Sequence, residues 1–350
     1  TASKNGKLNQ LNQLIVNKVA ETCDYFIKKH GIKELKKVVL CGNTTMMHLF
    51  SGVDASPLGQ YPFTPVFTGL KEFTGGYGGI DARKIILLPC VSAYIGSDIV
   101  SGIIATNIDK SAAPKILLDI GTNGELVLSE NGNLYCASTA AGPAFEGANI
   151  TCGMGGVSGA IDSASFDGSK INYTVIGSAQ PKGICGSGLI DIMALMLEYG
   201  VIDESGLIVE SDYQVLAQKT IDDRFYITDD VFISQKDVRE FQLAKSAICA
   251  GIKTIIKTNG LKEEDISEVF ISGGLGFYIN KSSGVKVGLV PPLFIDKLTI
   301  AGNSAGGGTK LCLLSEKELN RCIDVAKQCK NIELAESSIF MEEYINNMAF

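Results

Sequence analysis

The sequence predicts an α/β protein built as two lobes around a cleft, and three observations carry that reading. At 350 residues the chain is long enough for two domains. Hydrophobic residues make up 45% and charged residues 20%, a balance that gives a large ordered core rather than disorder. Short apolar strands run into glycine-containing turns, and then a hairpin or helix, at Asp119, Gly183 and Gly273. Backbone N–H groups at such junctions can receive an anion.

Taken in order, Lys7–Lys29 has apolar residues at 11, 14, 15, 19 and 26, a helical period closed by Gly31. Lys37–Leu40 is a strand that runs through Gly42, Asn43, Thr44 and Thr45 into a helix from about Met46 to Phe50. This turn suits an anion, and equally a simple cap by Asn43 or Thr44. His48 follows the cap in an apolar helix, which favours a packed histidine over a catalytic one. Residues 51–81 are rich in Gly and Pro and read as a long irregular connection. Lys84–Leu88 is a buried strand, and Tyr94–Thr106 is an apolar helix carrying Gly96, Asp98 and Gly102. The polar joint Asp109–Pro114 is the best boundary, dividing the chain into 1–112 and 113–350.

The centre of the chain is Lys115–Thr139: KILLDIG, TNG, ELVLS, ENGN, LYCAST. A buried strand ends in Asp119 and meets the small turn Gly121-Thr122-Asn123-Gly124. Two strands follow around Asn131-Gly132, the dipeptide of a type I′ hairpin. Such a turn can wrap phosphates while the acid holds a metal-bound water. It also suits an ordinary meander with Asp119 as a turn former. Ala140–Gly159 is dense in small residues with one acid, Glu146, and Ile161–Ile176 is a small sheet excursion. A glycine loop at 183–188 leads into a helix from Ile190 to Tyr199, and 204–228 reads as a polar surface excursion. Ser234–Asn259 is a strong helix with a capping box of Ser234 and Asp237. Gln242 and Lys245 share one of its faces, which spacing alone makes a solvated face. Glu268–Ile271 is a strand ending in SGGLG, where a flat ring can stack on bare backbone. Helices and short strands complete the chain.

Composition excludes several classes. A net charge of −7 gives no reason to expect nucleic acid as partner. No apolar run reaches the ~20 residues that span a bilayer. The ten cysteines are scattered with no CxxC spacing, so no iron–sulfur or zinc cluster is expected from this chain, and free thiols fit a reducing cytoplasm. Cys322 and Cys329 fall seven apart on one predicted helix and read as core.

Several phrases resemble a known family. Gly96-Ser97-Asp98 resembles the first connecting helix of the actin, sugar-kinase and heat-shock-chaperone ATPase superfamily (ASKHA). Asp119-Ile120-Gly121-Thr122-Asn123-Gly124-Glu125 resembles its second phosphate hairpin, Ser272-Gly273-Gly274-Leu275-Gly276 its adenosine motif, and Gly302-Asn303-Ser304-Ala305 its second connecting helix. The wording VVLCGNTTMMHL, LLDIGTNGE, STAAGPAFEGA, GICGSGLID, DVREFQLAKSA and ISGGLG is similar to one branch, the ATP-dependent reductive activators of corrinoid proteins. That resemblance implies a two-lobed, ribonuclease H-like ATPase whose first lobe is incomplete here, with Mg²⁺-ATP in the cleft. It implies that ATP helps an electron pass from an iron–sulfur domain to cob(II)alamin on a methyl-transfer protein, giving cob(I)alamin.

Carried over residue by residue, Asp119 positions the attacking water and holds Mg²⁺. Gly121, Thr122, Asn123 and Gly124 hold phosphates, and Asn43, Thr44 and Thr45 face them from the other lobe. Gly273, Gly274 and Gly276 flank adenosine, with Gln242 and Lys245 reaching ribose or base. The family's first phosphate hairpin and ferredoxin domain have no counterpart in this sequence. The resemblance therefore implies a ferredoxin-type domain on another segment or chain, a corrinoid-protein partner and a homodimer. A small-molecule kinase of the same superfamily and a non-catalytic docking module remain as other readings.

Overall fold

The computed structural model describes residues 6–275 and 278–350. Gly276, expected beside adenosine, lies outside the described residues. The chain separates into two compact units. One comprises the residues up to Ala112 together with Ser129–Cys136 and Asn303–Asn331. The other comprises Ala113–Leu128, Ala137–Gly302 and Ile332–Phe350. The chain thus returns to the first unit twice after first leaving it.

The first unit opens with α1 (Leu8–His30), β1 (Leu35–Leu40), α2 (Thr44–Phe50), β2 (Lys71–Thr74), β3 (Ala82–Leu87) and α3 (Ser97–Thr106). Gly31 closes α1 in the left-handed conformation, as its place after the last turn requires. The strands form a sheet in the order β1-β3-β2, with β1 parallel to β3 and β2 antiparallel to it. The edge strand β2 lies inside the stretch that the sequence marks as irregular. It is only four residues long and is flanked by glycines, so its inside–outside alternation is too short to stand out. Ile85 and Leu87 of β3 are fully buried and pack with Val16, Met47 and Phe50.

His48 lies in this core. Its Nδ1–H donates to the Thr44 carbonyl at 2.8 Å, its Nε2 accepts the Val66 N–H at 3.0 Å, and its ring stacks on Phe67 at 4.4 Å. Both ring nitrogens are engaged in the neutral form, and burial pushes its pKa below the ordinary 6.5. It is the packed histidine that the sequence favours.

Helix α3 begins at Ser97, three residues later than its apolar pattern suggests. Gly96 stays extended because the Ser97 N–H donates to the Gly42 carbonyl at 3.0 Å. A Cβ on Gly96 would stand 2.5 Å from the Asn43 Cα.

Next in the chain come β4 (Lys115–Ile120), β5 (Gly124–Glu130) and β6 (Asn133–Thr139), of which Ser129–Cys136 counts with the first unit and the rest with the second. Asn131 (φ 48°) and Gly132 (φ 79°) both take positive φ in the β5–β6 turn, as the type I′ dipeptide predicts. There follow β7 (Ala160–Phe166), β8 (Ile171–Val175), β9 (Gly183–Ile184) and α4 (Gly186–Glu198). Next come α5 (Gln214–Ala217), β10 (Thr220–Ile221), β11 (Arg224–Tyr226), β12 (Phe232–Ser234) and α6 (Gln235–Thr258). The chain ends with β13 (Glu268–Ser272), α7 (Lys281–Lys286), β14 (Leu298–Gly302), α8 (Ser304–Leu314), α9 (Glu316–Gln328), β15 (Cys329–Ile332) and α10 (Ser338–Asn346). The largest sheet runs β14-β13-β4-β5-β6-β15, and small sheets run β8-β7-β9 and β10-β11-β12. The region read as a polar excursion therefore holds α5 and two strands of a sheet. Helix α9 ends at Gln328, so Cys329 belongs to a strand and does not share a helix face with Cys322, which is fully buried. Helix α6 carries the expected capping box, with the Ser234 and Asp237 side chains each bonded to the other's backbone.

In the first unit α8 packs against α3, and Gly308 permits the approach. A Cβ there would stand 1.8 Å from the Ser101 carbonyl oxygen. The Thr309 hydroxyl donates to the Ser101 Oγ at 3.3 Å beside this contact. The sequence places close packing on the glycines of the helix expected at 94–106, which Gly96 bears out, and Gly308 adds a close approach from the partner helix.

Gly308→Val drives a side chain into backbone and is expected to cost about 3 kcal/mol, read as a lowered unfolding transition. Protonation of His48 gives a second test. The unfolded chain takes up a proton on this histidine more readily than the folded one. The stability it contributes is therefore full above pH ~6.5 and lost as the pH falls toward its depressed folded pKa. Denaturant melts of wild type and His48→Phe across that range should show a smaller acid loss in the variant. The variant should also show a constant cost of about 1–3 kcal/mol for the unsatisfied Val66 N–H.

Candidate active site

The site is built where β4 and β13 lie side by side. Their register pairs Asp119 with Ser272, so two strands end at one level and each releases a glycine turn. The Ser272 hydroxyl donates to Asp119 Oδ2 at 2.7 Å. Burial raises the proton affinity of Asp119, and the Ser272 hydrogen bond opposes this. Gly273 has φ 92°, and a Cβ on it would stand 2.6 Å from the Ile120 carbonyl and 2.7 Å from Asp119 Oδ1. Only glycine allows the second turn to lie this close on the end of β4.

Beyond β4 the chain turns tightly, with the Gly121 N–H donating to the Asn123 carbonyl at 3.0 Å. The Thr122 hydroxyl donates to Glu146 Oε2 at 2.7 Å. Glu146 ends a 3₁₀ turn, Pro143–Glu146, that Gly147 closes in the left-handed conformation. A Cβ on Gly147 would stand 2.5 Å from the Met154 backbone, so the small-residue segment folds tightly on itself.

These turns surround a cavity of 680 Å³, a size suited to a small-molecule or nucleotide ligand. Its wall includes Gly121 and Glu146 from the first side, Gly274 and Leu275 from the second, and Gly186 and Ser187 from the start of α4. The three glycine junctions of the sequence thus meet at one place. Nothing stands within 4 Å of where a Gly274 Cβ would be. The third junction differs in detail from its expectation, because Gly186, Ser187 and Gly188 form the first turn of α4 rather than a loop before it. Their glycines answer to packing. A Cβ on Gly186 would stand 2.1 Å from the Phe145 carbonyl, and one on Gly188 2.2 Å from that of Ile161.

Not every expected residue reaches this cavity. Gly121 and Gly274 line it, and Thr122 supports it through Glu146. Gly124 instead faces α6, where a Cβ would stand 3.0 Å from both Ile248 and Thr139. Asn123 contributes its carbonyl to the turn. Asp119 is not among the cavity's described lining residues and lies beside it, held by Ser272.

Gln242 and Lys245 are each only 1% exposed, which overturns the solvated-face reading of α6. They line no part of the cavity. The Gln242 amide donates to the Ser205 carbonyl at 3.0 Å and to that of Met348 at 3.1 Å. The Lys245 ammonium donates to the Ala349 carbonyl and lies 5.0 Å over the Phe350 ring. Burial pushes the Lys245 pKa down to about 8. In the first unit, Asn43 caps α2 by accepting the Met46 N–H at 2.9 Å. The buried Thr44 donates its hydroxyl to the Ser92 carbonyl at 2.6 Å, and Thr45 is exposed.

Two acids in the cavity wall were not assigned from sequence, Glu146 and Asp162. Glu146 was visible as the one acid in a small-residue stretch. Asp162 had no signal, because IDSASF reads as an ordinary short strand. Among the described lining residues there is no lysine or arginine.

Comparison with known proteins agrees with this geometry. A family model described as the C-terminal domain of RACo, the ASKHA domain, matches residues 113–350, and one for the RACo middle region matches 1–111. The corrinoid activation enzyme RamQ of Eubacterium limosum is 32% identical over 98% of this chain and 61% of its own. The [Co(II) methylated amine-specific corrinoid protein] reductase of Methanosarcina barkeri is 24% identical over 91% of this chain and 63% of its own. The solved structure of a reductive activator for corrinoid,iron-sulfur protein superposes with a TM-score of 0.88 at 32% identity, covering 98% of this chain and 57% of that one. The chain thus spans less than two thirds of the length of each. The mixed α/β fold and these matches together place the chain in the RACo family, with a middle region followed by an ASKHA domain.

Proposed function

We propose that this chain binds Mg²⁺-ATP in the cavity of the second unit, and that the protein it forms uses the nucleotide to drive reduction of cob(II)alamin to cob(I)alamin on a corrinoid protein. The observation that carries the reading is the meeting of the hairpin turn at Gly121 and the bare backbone at Gly274 on one cavity. The relatives' names supply the corrinoid partner. A ferredoxin-type electron donor and a homodimer complete the proposal.

The residues present fit a metal nucleotide better than a free one. A wall with Glu146 and Asp162 and no described cationic side chain repels bare phosphates. Mg²⁺ keeps several waters and takes one or two carboxylates with substrate phosphates, so it needs no larger protein cage. Asp119 and Glu146 flank the 121–124 turn and would hold its waters. Bound ATP supplies a phosphoryl group whose transfer to water releases free energy. The chain's part is positioning. The turn at Gly121 lets phosphate approach the backbone, Thr122 fixes Glu146, and Ser272 fixes Asp119. Burial makes Asp119 a better proton acceptor than an ordinary aspartate, which suits orienting a water. Gly273 sets the second turn against β4, and Gly274 leaves room for the nucleoside. Gln242 and Lys245 hold residues 348–350, and their part in binding is indirect.

Calorimetry with ATP should show binding in Mg²⁺ that chelation weakens. Asp119→Ala should weaken Mg²⁺-ATP at least about tenfold, the loss of one charge-assisted contact, while leaving adenosine binding unchanged. Equal affinity in Asp119→Ala, or binding indifferent to chelation, contradicts the arrangement.

A further inference from the structure

We infer that Asp162 reads the ribose hydroxyls of the bound nucleotide, so that the cavity selects ribonucleotides over deoxyribonucleotides. The inference rests on the nucleotide reading of the cavity and deepens it.

Asp162 sits where β7 loses register with β8. The pairing slips between Ile161 and Ser163, leaving Asp162 outside the regular ladder. Bulges of this kind re-aim a side chain and recur beside active sites. Here the residue beside the slip is in the cavity wall. It is held from several directions. Thr174 Oγ1 donates to Asp162 Oδ1 at 2.5 Å, and Thr174 Oγ1 in turn lies 2.8 Å from Ser163 Oγ. The Ser187 hydroxyl donates to the Asp162 carbonyl at 2.8 Å, tying its backbone to the first turn of α4. A Cβ on Gly188 would stand 3.3 Å from the Asp162 nitrogen, so the helix packs directly on this residue. The carboxylate is thus preorganised, with one oxygen engaged by Thr174.

An ionised carboxylate only accepts hydrogen bonds and repels phosphate, so its natural partner on a nucleotide is an O–H or N–H donor. The two acids in the wall stand on different elements. Glu146 is bonded to the turn expected to hold phosphates, whereas Asp162 stands on β7 beside Val175 and Ile176 of the apolar wall. A vicinal diol offers O–H donors on two adjacent atoms to one carboxylate, whereas the two N–H bonds of a base amine diverge from a single nitrogen. Gln242 and Lys245, the sequence's candidates for ribose, are buried under residues 348–350. Asp162 takes that role from within the cavity.

The test measures affinities of Mg²⁺ complexes of ATP, 2′-deoxy-ATP, 3′-deoxy-ATP and ITP for the whole chain, wild type and Asp162→Ala, with melting temperatures as a folding control. Wild type should bind at least one deoxynucleotide about tenfold or more weaker than ATP, the loss expected for a hydrogen bond to a charged acceptor. Asp162→Ala should bind ATP and the deoxynucleotides alike. Thr174→Val, which frees the carboxylate without removing it, should reduce the discrimination and keep the fold. Discrimination that survives in Asp162→Ala overturns the proposal, as does a wild type that discriminates only against ITP. A wild type that binds all four equally overturns it while leaving the nucleotide reading standing. A wild type that binds none overturns both.

Discussion

The parallel pairing of β4 with β13 is the constraint on which the candidate site depends. Its register sets Asp119 opposite Ser272, and the hydrogen bond between them closes the two strand ends at one level. From that level each chain departs through glycine, one into the 121–124 turn and the other through Gly273, whose missing Cβ lets it lie on the Ile120 carbonyl. A register slip of one residue would turn Asp119 to the opposite face and separate the turns. The cavity is therefore a consequence of strand pairing between segments about 150 residues apart, and the loops around it supply its detail.

The second physical feature is the charge of the cavity wall. Phosphate sites commonly combine helix N-termini or backbone amides with a cationic side chain. Here the described wall has acids and bare backbone. Such a surface suits a nucleotide whose phosphates are already neutralised by a metal and whose sugar offers donors. Lys245, the one buried lysine among the described residues, is not part of the wall. Its ammonium is desolvated against the Ala349 carbonyl and the Phe350 ring. The Phe241 ring lies between this cluster and the cavity's Phe145, 6.1 Å from Phe350 and 5.6 Å from Phe145.

Much of this was legible in the sequence where local chemistry decides local structure. The Asn131-Gly132 hairpin, the Ser234–Asp237 capping box, the Gly31 helix stop and the packed His48 follow from residues near one another. The three glycine junctions were legible as a set. Their glycines were less so, because Gly124, Gly186 and Gly188 answer to neighbouring backbone or side chains rather than to a ligand. Burial of Gln242 and Lys245 was not legible, since it involves residues 348–350, about a hundred positions away, and for Gln242 also Ser205. Nor was the place of Asp162 in the cavity wall, beside a register slip that no periodicity reveals. Strands β2, β10 and β11 are two to four residues long and fall below what alternation can mark.

The most direct test of the cavity as the nucleotide site is photolabelling with Mg²⁺-8-azido-ATP, followed by peptide mapping. Label that excess ATP prevents should fall on the cavity wall, in peptides containing Phe145, Glu146, Met154, Val175, Ile176, Leu275 or Tyr278. Protectable label confined to the α6 segment around Gln242 and Lys245 and to residues 348–350 would contradict it and return the base to the positions first expected from sequence.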